Sequence, residues 1–177
     1  MTTEPALSES FLRESRRYLM GDYLPKILIC LDSLSEADVW WRGNEASNSI
    51  GNLVLHLAGN ARQWIVHGVG GAVDVRQRQS EFDRRGAIAP SELAALLHTT
   101  LTEVDSVLAS LDPATLLDAR RIQGLDTTVM GAVYHVVEHF STHTGQIVML
   151  TKLRTGRDLG FWEVRADGTV VRRLQPL

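Results

Sequence analysis

The chain has 177 residues, a formal net charge of -3 and a single cysteine, Cys30. That length suits one domain spanning residues 1–177 and is short for two. The mild negative charge excludes a nucleic-acid binder that works by bulk positive charge. An internal disulfide is impossible, and Cys30, inside the apolar run Ile27–Leu31, reads as a small buried hydrophobe rather than a nucleophile. The opening stretch Met1–Ser10 is polar and acidic, unlike a secretory signal, and no run reaches the roughly 20 apolar residues of a membrane span. The expectation is a cytoplasmic protein with neither a membrane nor a nucleic acid as partner.

Four segments carry helical periodicity. The first runs from about Leu7 to Leu34, with Leu12, Leu19, Tyr23, Ile27 and Leu31 on one stripe. Pro25 lies inside it and should kink it or split it in two. The second runs from about Ser49 to Val69. Ser47, Asn48 and Ser49 are candidate N-caps, and the glycines of 68–71 end it. A long charged stretch, Gly70–Ala89, follows as a crossover loop with room for a short helical turn. The third helix begins at Pro90 or Ser91, carries Leu93, Leu96, Leu97, Leu101, Val104 and Leu108, and closes before Asp112-Pro113. The fourth runs from about Thr127 to Arg154, capped near Asp126 or Thr127 and stopped by Gly156. Its apolar set includes Val133, Val136, Phe140, Ile147 and Leu153. In the tail, Asp167-Gly168 is a candidate hairpin turn. Strand-period alternation is nearly absent elsewhere. The pattern predicts an all-α four-helix bundle with one long crossover and a possible short C-terminal hairpin.

The histidines carry the chemistry. His135, His139 and His143 stand at intervals of four on the fourth helix, so each adjacent pair shares a helix face and can grip one metal ion. A third ligand has to come from elsewhere. His56, within Leu-Val-Leu-His-Leu-Ala on the second helix, points into the bundle. Alone it would be a satisfied core histidine. Opposite a histidine ladder it becomes a ligand candidate, because three apolar-buried imidazoles without a metal leave nitrogens to satisfy. Two pairings compete. His135 and His139 enclose Glu138 in the inverted zinc-peptidase pattern, with Glu138 as base. That pattern needs a larger protein and a further acidic ligand downstream, where only Asp158, Glu163 and Asp167 stand. His139 and His143 are the preferred pair.

Trp41-Arg42, the segment Ser47-Asn48-Ser49-Ile50-Gly51-Asn52 leading to His56 and Asn60, and the segment from His135 through His139 and His143 to Gln146-Ile147 resemble the DinB-like superfamily. The likeness covers most of the chain, from the first helix to about Leu159. It implies a four-helix bundle, commonly a homodimer, with one divalent metal ion such as zinc or nickel held by three histidines. By position these are His56, His139 and His143. His135 would sit one turn from the ligands, as a group beside them or lining a pocket.

Three histidines leave a coordination position open, as in catalytic zinc sites. Relatives in the family include enzymes that use mycothiol or bacillithiol. The resemblance therefore implies an enzyme that activates a low-molecular-weight thiol for transfer to an electrophile. Hydrolysis by metal-bound water and a non-enzymatic stress-response or interaction protein with a structural metal are the alternatives. Around the site, Gln146 can orient a ligand, and Asn52 or Asn60, four residues either side of His56, can hydrogen-bond its free ring nitrogen. His67, about 20° around the helix from His56 but some three turns away, reads as a rim group. His98 reads as a bystander, the tryptophans as core or dimer-interface aromatics, and the crossover arginines as a possible attraction for an anionic substrate.

Overall fold

The computed structural model describes residues 3–174. The first helical segment is α1 (Thr3–Tyr18) and α2 (Leu24–Asp32), joined without a break through a π turn, Leu19–Tyr23. Proline explains the join. Pro25 has no N–H to give the carbonyl four residues back, so the ladder widens there, and Leu24 N–H bonds to Leu19 O instead. The carbonyl that Pro25 cannot serve is that of Gly21. Arg172, from the tail, donates to it through Nη2 at 2.6 Å.

A one-turn helix, α3 (Glu36–Val39), leads to α4 (Ile50–Ala61), which ends in a second π turn, Arg62–His67. Ser49 is the N-cap. Its hydroxyl accepts from Asn52 N–H at 3.1 Å, and Asn52 Oδ1 accepts from Ser49 N–H at 3.1 Å. The crossover holds α5 (Arg78–Asp83), the short turn expected in it. Next comes α6 (Pro90–Ser110), with Pro90 in its first turn and Glu92 reaching back to Ala89 N–H at 2.9 Å. A 3₁₀ turn (Pro113–Leu117) precedes β1 (Ala119–Ile122) and β2 (Leu125–Thr128). α7 (Val129–Thr155) is capped by Thr128 and closed by Gly156 at φ 66°.

The bundle axis is apolar, with Leu24, Ile27, Leu31, Leu57, Ile65, Leu93, Leu97, Leu101 and Phe140 fully buried and Cys30 among them. Two leucines placed in apolar stripes by sequence, Leu96 and Leu153, are exposed instead. Leu96 is 100° from Leu97 on the helix, outside the buried arc. Two antiparallel hairpins complete the chain. β1–β2 was not expected from the sequence. Its turn residues Gln123 and Gly124 both have positive φ, the twist that joins two-residue hairpins. It also moves the cap of α7 to Thr128, one residue beyond the expected position. The tail hairpin, β3 (Trp162–Val164) with β4 (Val170–Arg172), is the expected one. Gly168 at φ 83° closes its turn by donating to Arg165 O at 2.9 Å.

Candidate metal centre

The capping box at Ser49 sets the phase of α4 and turns His56 inward, where it is 6% exposed. On α7, Phe140, Thr144 and Ile147 face the core, so His139 and His143 lie at the edge of that buried face, half-buried and toward α4. The three imidazoles converge. His139 Nε2 lies 2.8 Å from His56 Nε2. Ring centroids are 4.9 Å apart for His56–His139, 5.3 Å for His56–His143 and 4.4 Å for His139–His143. One ring nitrogen from each lies within 4.8 Å of the other two. Three histidines in this arrangement can hold a metal ion.

The far nitrogens are held from behind. His143 Nδ1 lies 2.7 Å from Gln146 Oε1. His56 Nδ1 lies 2.9 Å from Glu81 Oε2. Glu81, on α5, was not singled out in the sequence. Its carboxylate is buried and forked by Arg76, with Nε to Oε1 at 2.7 Å and Nη2 to Oε2 at 2.9 Å. Burial opposes ionisation of Glu81, but Arg76 and His56 together outweigh it and hold the carboxyl below its ordinary range. The Phe82 ring covers His56, with centroids 4.8 Å apart.

Asn52 and Asn60 do not bond His56. Asn52 is occupied in the cap, and its Nδ2 donates to Glu81 O at 2.8 Å and Arg84 O at 3.0 Å. It therefore supports the site through the backbone of α5. Asn60 Nδ2 lies 3.1 Å from His135 Nε2. His135 is packed against Trp64, with ring centroids 4.0 Å apart, and stacks on His139 at 5.2 Å. It lines the site beside the three converging rings. Glu138 is exposed and accepts from Thr142 at 3.1 Å.

Burial, then the neighbouring His143 and His56, lowers the His139 pKa to about 3. Burial likewise lowers those of His143 and His135. His139 and His143 are thus neutral at pH 7, the state a metal ligand requires.

Of the crossover arginines, Arg78, Arg84 and Arg85 are exposed, while Arg76 is turned inward. Arg76 is 4% exposed and spent on Glu81, and Arg78 lies over Phe82 at 4.9 Å. His67 bonds Ala72 O and lines a cavity of about 210 Å³ with Asp74, Arg76 and Ser80, a rim place as expected. His98 is exposed. Trp64 is buried, Trp40 donates to Ile88 O at 3.0 Å, and Trp41 lies under Arg154.

The model of the family described as "Protein of unknown function (DUF1572)" matches residues 7–164. A DinB-like protein from Bacillus cereus ATCC 10987 is structurally similar, with a TM-score of 0.65 at 15% identity, covering 85% of this chain and 94% of that one. A conserved protein from Enterococcus faecalis has a TM-score of 0.61 at 14% identity, covering 89% of this chain and 100% of that one. These likenesses concern the fold. No curated protein matches the chain. Among the described residues, no helix is long and apolar enough to cross a membrane.

Proposed function

The chain belongs to the DUF1572 family, a DinB-like family, and from that premise we propose that it is a metal-dependent enzyme activating a low-molecular-weight thiol for transfer to an electrophile. His56, His139 and His143 hold one divalent ion, zinc or nickel. The observation that carries this reading is their convergence, with one nitrogen of each inside a 4.8 Å set and the second nitrogens of His56 and His143 held by Glu81 and Gln146. Three imidazoles suit either metal and leave a position for a further ligand. Held by His56, His139 and His143, such an ion would supply Lewis acidity that lowers the pKa of a bound thiol or water.

Thiol transfer is preferred over hydrolysis because neither acidic neighbour is placed as a base. Glu81 is locked by Arg76 and His56, and Glu138 is exposed with an oxygen bonded by Thr142. His135, Trp64 and Phe82 form the wall beside the ligands, and the two aromatic rings keep water from their faces. On the family pattern, the working form is a cytoplasmic homodimer.

Elemental analysis of untagged protein tests the reading, alongside a variant carrying His56→Ala, His139→Ala and His143→Ala. About one equivalent of zinc or nickel is expected in the wild type and none in the variant. A wild type that binds neither metal after reconstitution overturns it. Metal-loaded protein is then screened with thiols and electrophiles. Turnover that needs water but no thiol would favour hydrolysis.

A further inference from the structure

We infer that Glu81 and Arg76 are positioning residues for the metal ligand His56, fixing it as the Nδ1–H tautomer so that its Nε2 lone pair faces His139 and His143. The inference rests on the three-histidine reading above and assigns its supporting part to the crossover, a segment with no histidine ligand of its own.

The hydrogen-bond network decides the tautomer. His56 Nδ1 has two neighbours, Glu81 Oε2 at 2.9 Å and Arg76 Nη2 at 3.1 Å. Arg76 Nη2 already donates to Glu81 Oε2 at 2.9 Å, and its Nε donates to Oε1 at 2.7 Å. This planar fork is charge-assisted and uses one of the two Nη2 hydrogens, and of the two neighbours of His56 Nδ1 the carboxylate oxygen is the nearer. A carboxylate oxygen accepts more than one bond, so Oε2 can also take the proton of His56 Nδ1. The opposite tautomer would leave Nδ1 as an acceptor facing a carboxylate oxygen at 2.9 Å, two lone pairs in contact. With Nδ1 protonated, Nε2 is left as an acceptor toward His139. A carboxylate behind a ligating histidine fixes ring orientation and raises ligand basicity.

The surroundings are built for this contact. Gly59 on α4 gives the carboxylate its room, because a Cβ there would overlap Glu81 Oε1. Arg76 is itself steered by Gln63 Oε1, to which Nη1 donates at 2.9 Å. Asn52 holds the Glu81 carbonyl, and Arg42 Nη2 donates to Phe82 O at 3.0 Å. Side chain and backbone of Glu81 are thus held by different partners, so a change to its carboxylate leaves the bonds from Asn52 and Arg42 to the α5 backbone in place.

The test has two parts. In the metal-free wild type, ¹⁵N-resolved NMR of the histidine rings reads the tautomer directly. A protonated Nδ1 on His56 is expected, and a protonated Nε2 overturns the inference whatever any variant does. Chelator competition with zinc then compares wild type, Glu81→Gln and Glu81→Ala, with circular dichroism as a control on the fold. Glu81→Ala should bind zinc roughly 10–100-fold more weakly, the usual effect of losing such a partner. Glu81→Gln, whose amide oxygen can still accept from Nδ1–H, should recover part of the loss. Equal affinities in all three proteins, each folded, overturn the inference and leave the metal site standing. A wild type that takes up no zinc overturns the metal reading itself.

Discussion

Gly59 and Glu81 are fitted to each other across the α4–α5 contact: the missing side chain of one is the space occupied by the carboxylate of the other. Glycine inside a helix ordinarily costs roughly 0.5–1 kcal/mol relative to alanine. At position 59 the sign should reverse. The carboxylate is not a free chain end that can move aside, since Arg76 and His56 hold its two oxygens. Gly59→Ala should destabilise by about 1–3 kcal/mol, as overpacking does. Urea denaturation of the metal-free protein checks this, and a stabilised variant would contradict the geometry.

Acid should weaken the metal-free fold. Burial and the neighbouring histidines put the folded His139 pKa at about 3, against an ordinary value of 6.5. Between those values the unfolded chain binds the proton and the folded one does not, so stability rises with pH there and is lost as pH falls from 6.5 toward 3. The lowered pKa values of His143 and His135 act in the same direction. Glu81 adds to it, because its folded pKa lies below 4.5 and its contribution is lost as pH falls through that range. Denaturation midpoints measured in EDTA should fall between pH 7 and pH 4, with a shallower slope in His139→Gln. A flat profile would mean that these rings are not buried as described.

His135 stands in the ladder but belongs to another cluster. Asn60 contacts its Nε2, and Trp64 packs against its ring. His135→Ala should therefore keep the full metal stoichiometry, while His139→Ala or His143→Ala should lose it. Loss of metal in His135→Ala with retention in His143→Ala would restore the inverted-peptidase pairing.

Gln146 and Glu81 do comparable work in different surroundings. Gln146 is exposed, so water can replace its oxygen at His143 Nδ1. Gln146→Ala should weaken zinc binding by less than Glu81→Ala in the same chelator assay. The reverse order would show that the exposed contact, not the buried one, sets the affinity.

The bundle and the histidine ladder were legible in the sequence because both are local regularities. Apolar spacing marks a buried face, and histidines four apart share one. The cap at Ser49 and the kink at Pro25 follow from single residues with fixed habits. Glu81 was not legible. It lies in a stretch with no period, among several charged residues, and only the folded approach of α5 to His56, 25 positions earlier in the chain, distinguishes it from Asp83. The β1–β2 hairpin was missed for a related reason. Its strands are four residues each, and Gln123 at positive φ is a conformation that β-turn chemistry leads one to expect of asparagine or glycine.

The tail hairpin is tied to the bend in the first helical segment. Arg172 Nη2 bonds both Gly21 O and Asp22 Oδ1, at 2.6 and 2.5 Å. Arg172→Ala should cost on the order of 1–3 kcal/mol, the scale of a charged hydrogen bond lost from a partly buried acceptor, with earlier tryptic cleavage at Arg165. An unchanged urea midpoint and digestion pattern would show the tail to be independent of the bundle.

The way α5 is held has a consequence for how the protein opens. Six residues are too few to sustain a helix alone. Of its side chains only Glu81 is buried, so what keeps it in place is a handful of directional polar bonds from Arg42, Asn52 and Arg76. Such a unit can detach while the apolar axis of the bundle stays closed. The amides of residues 78–83 should then exchange with solvent long before those of α6 or α7. The local opening that frees them also uncovers His56, giving an ion a route to the centre without unfolding the bundle.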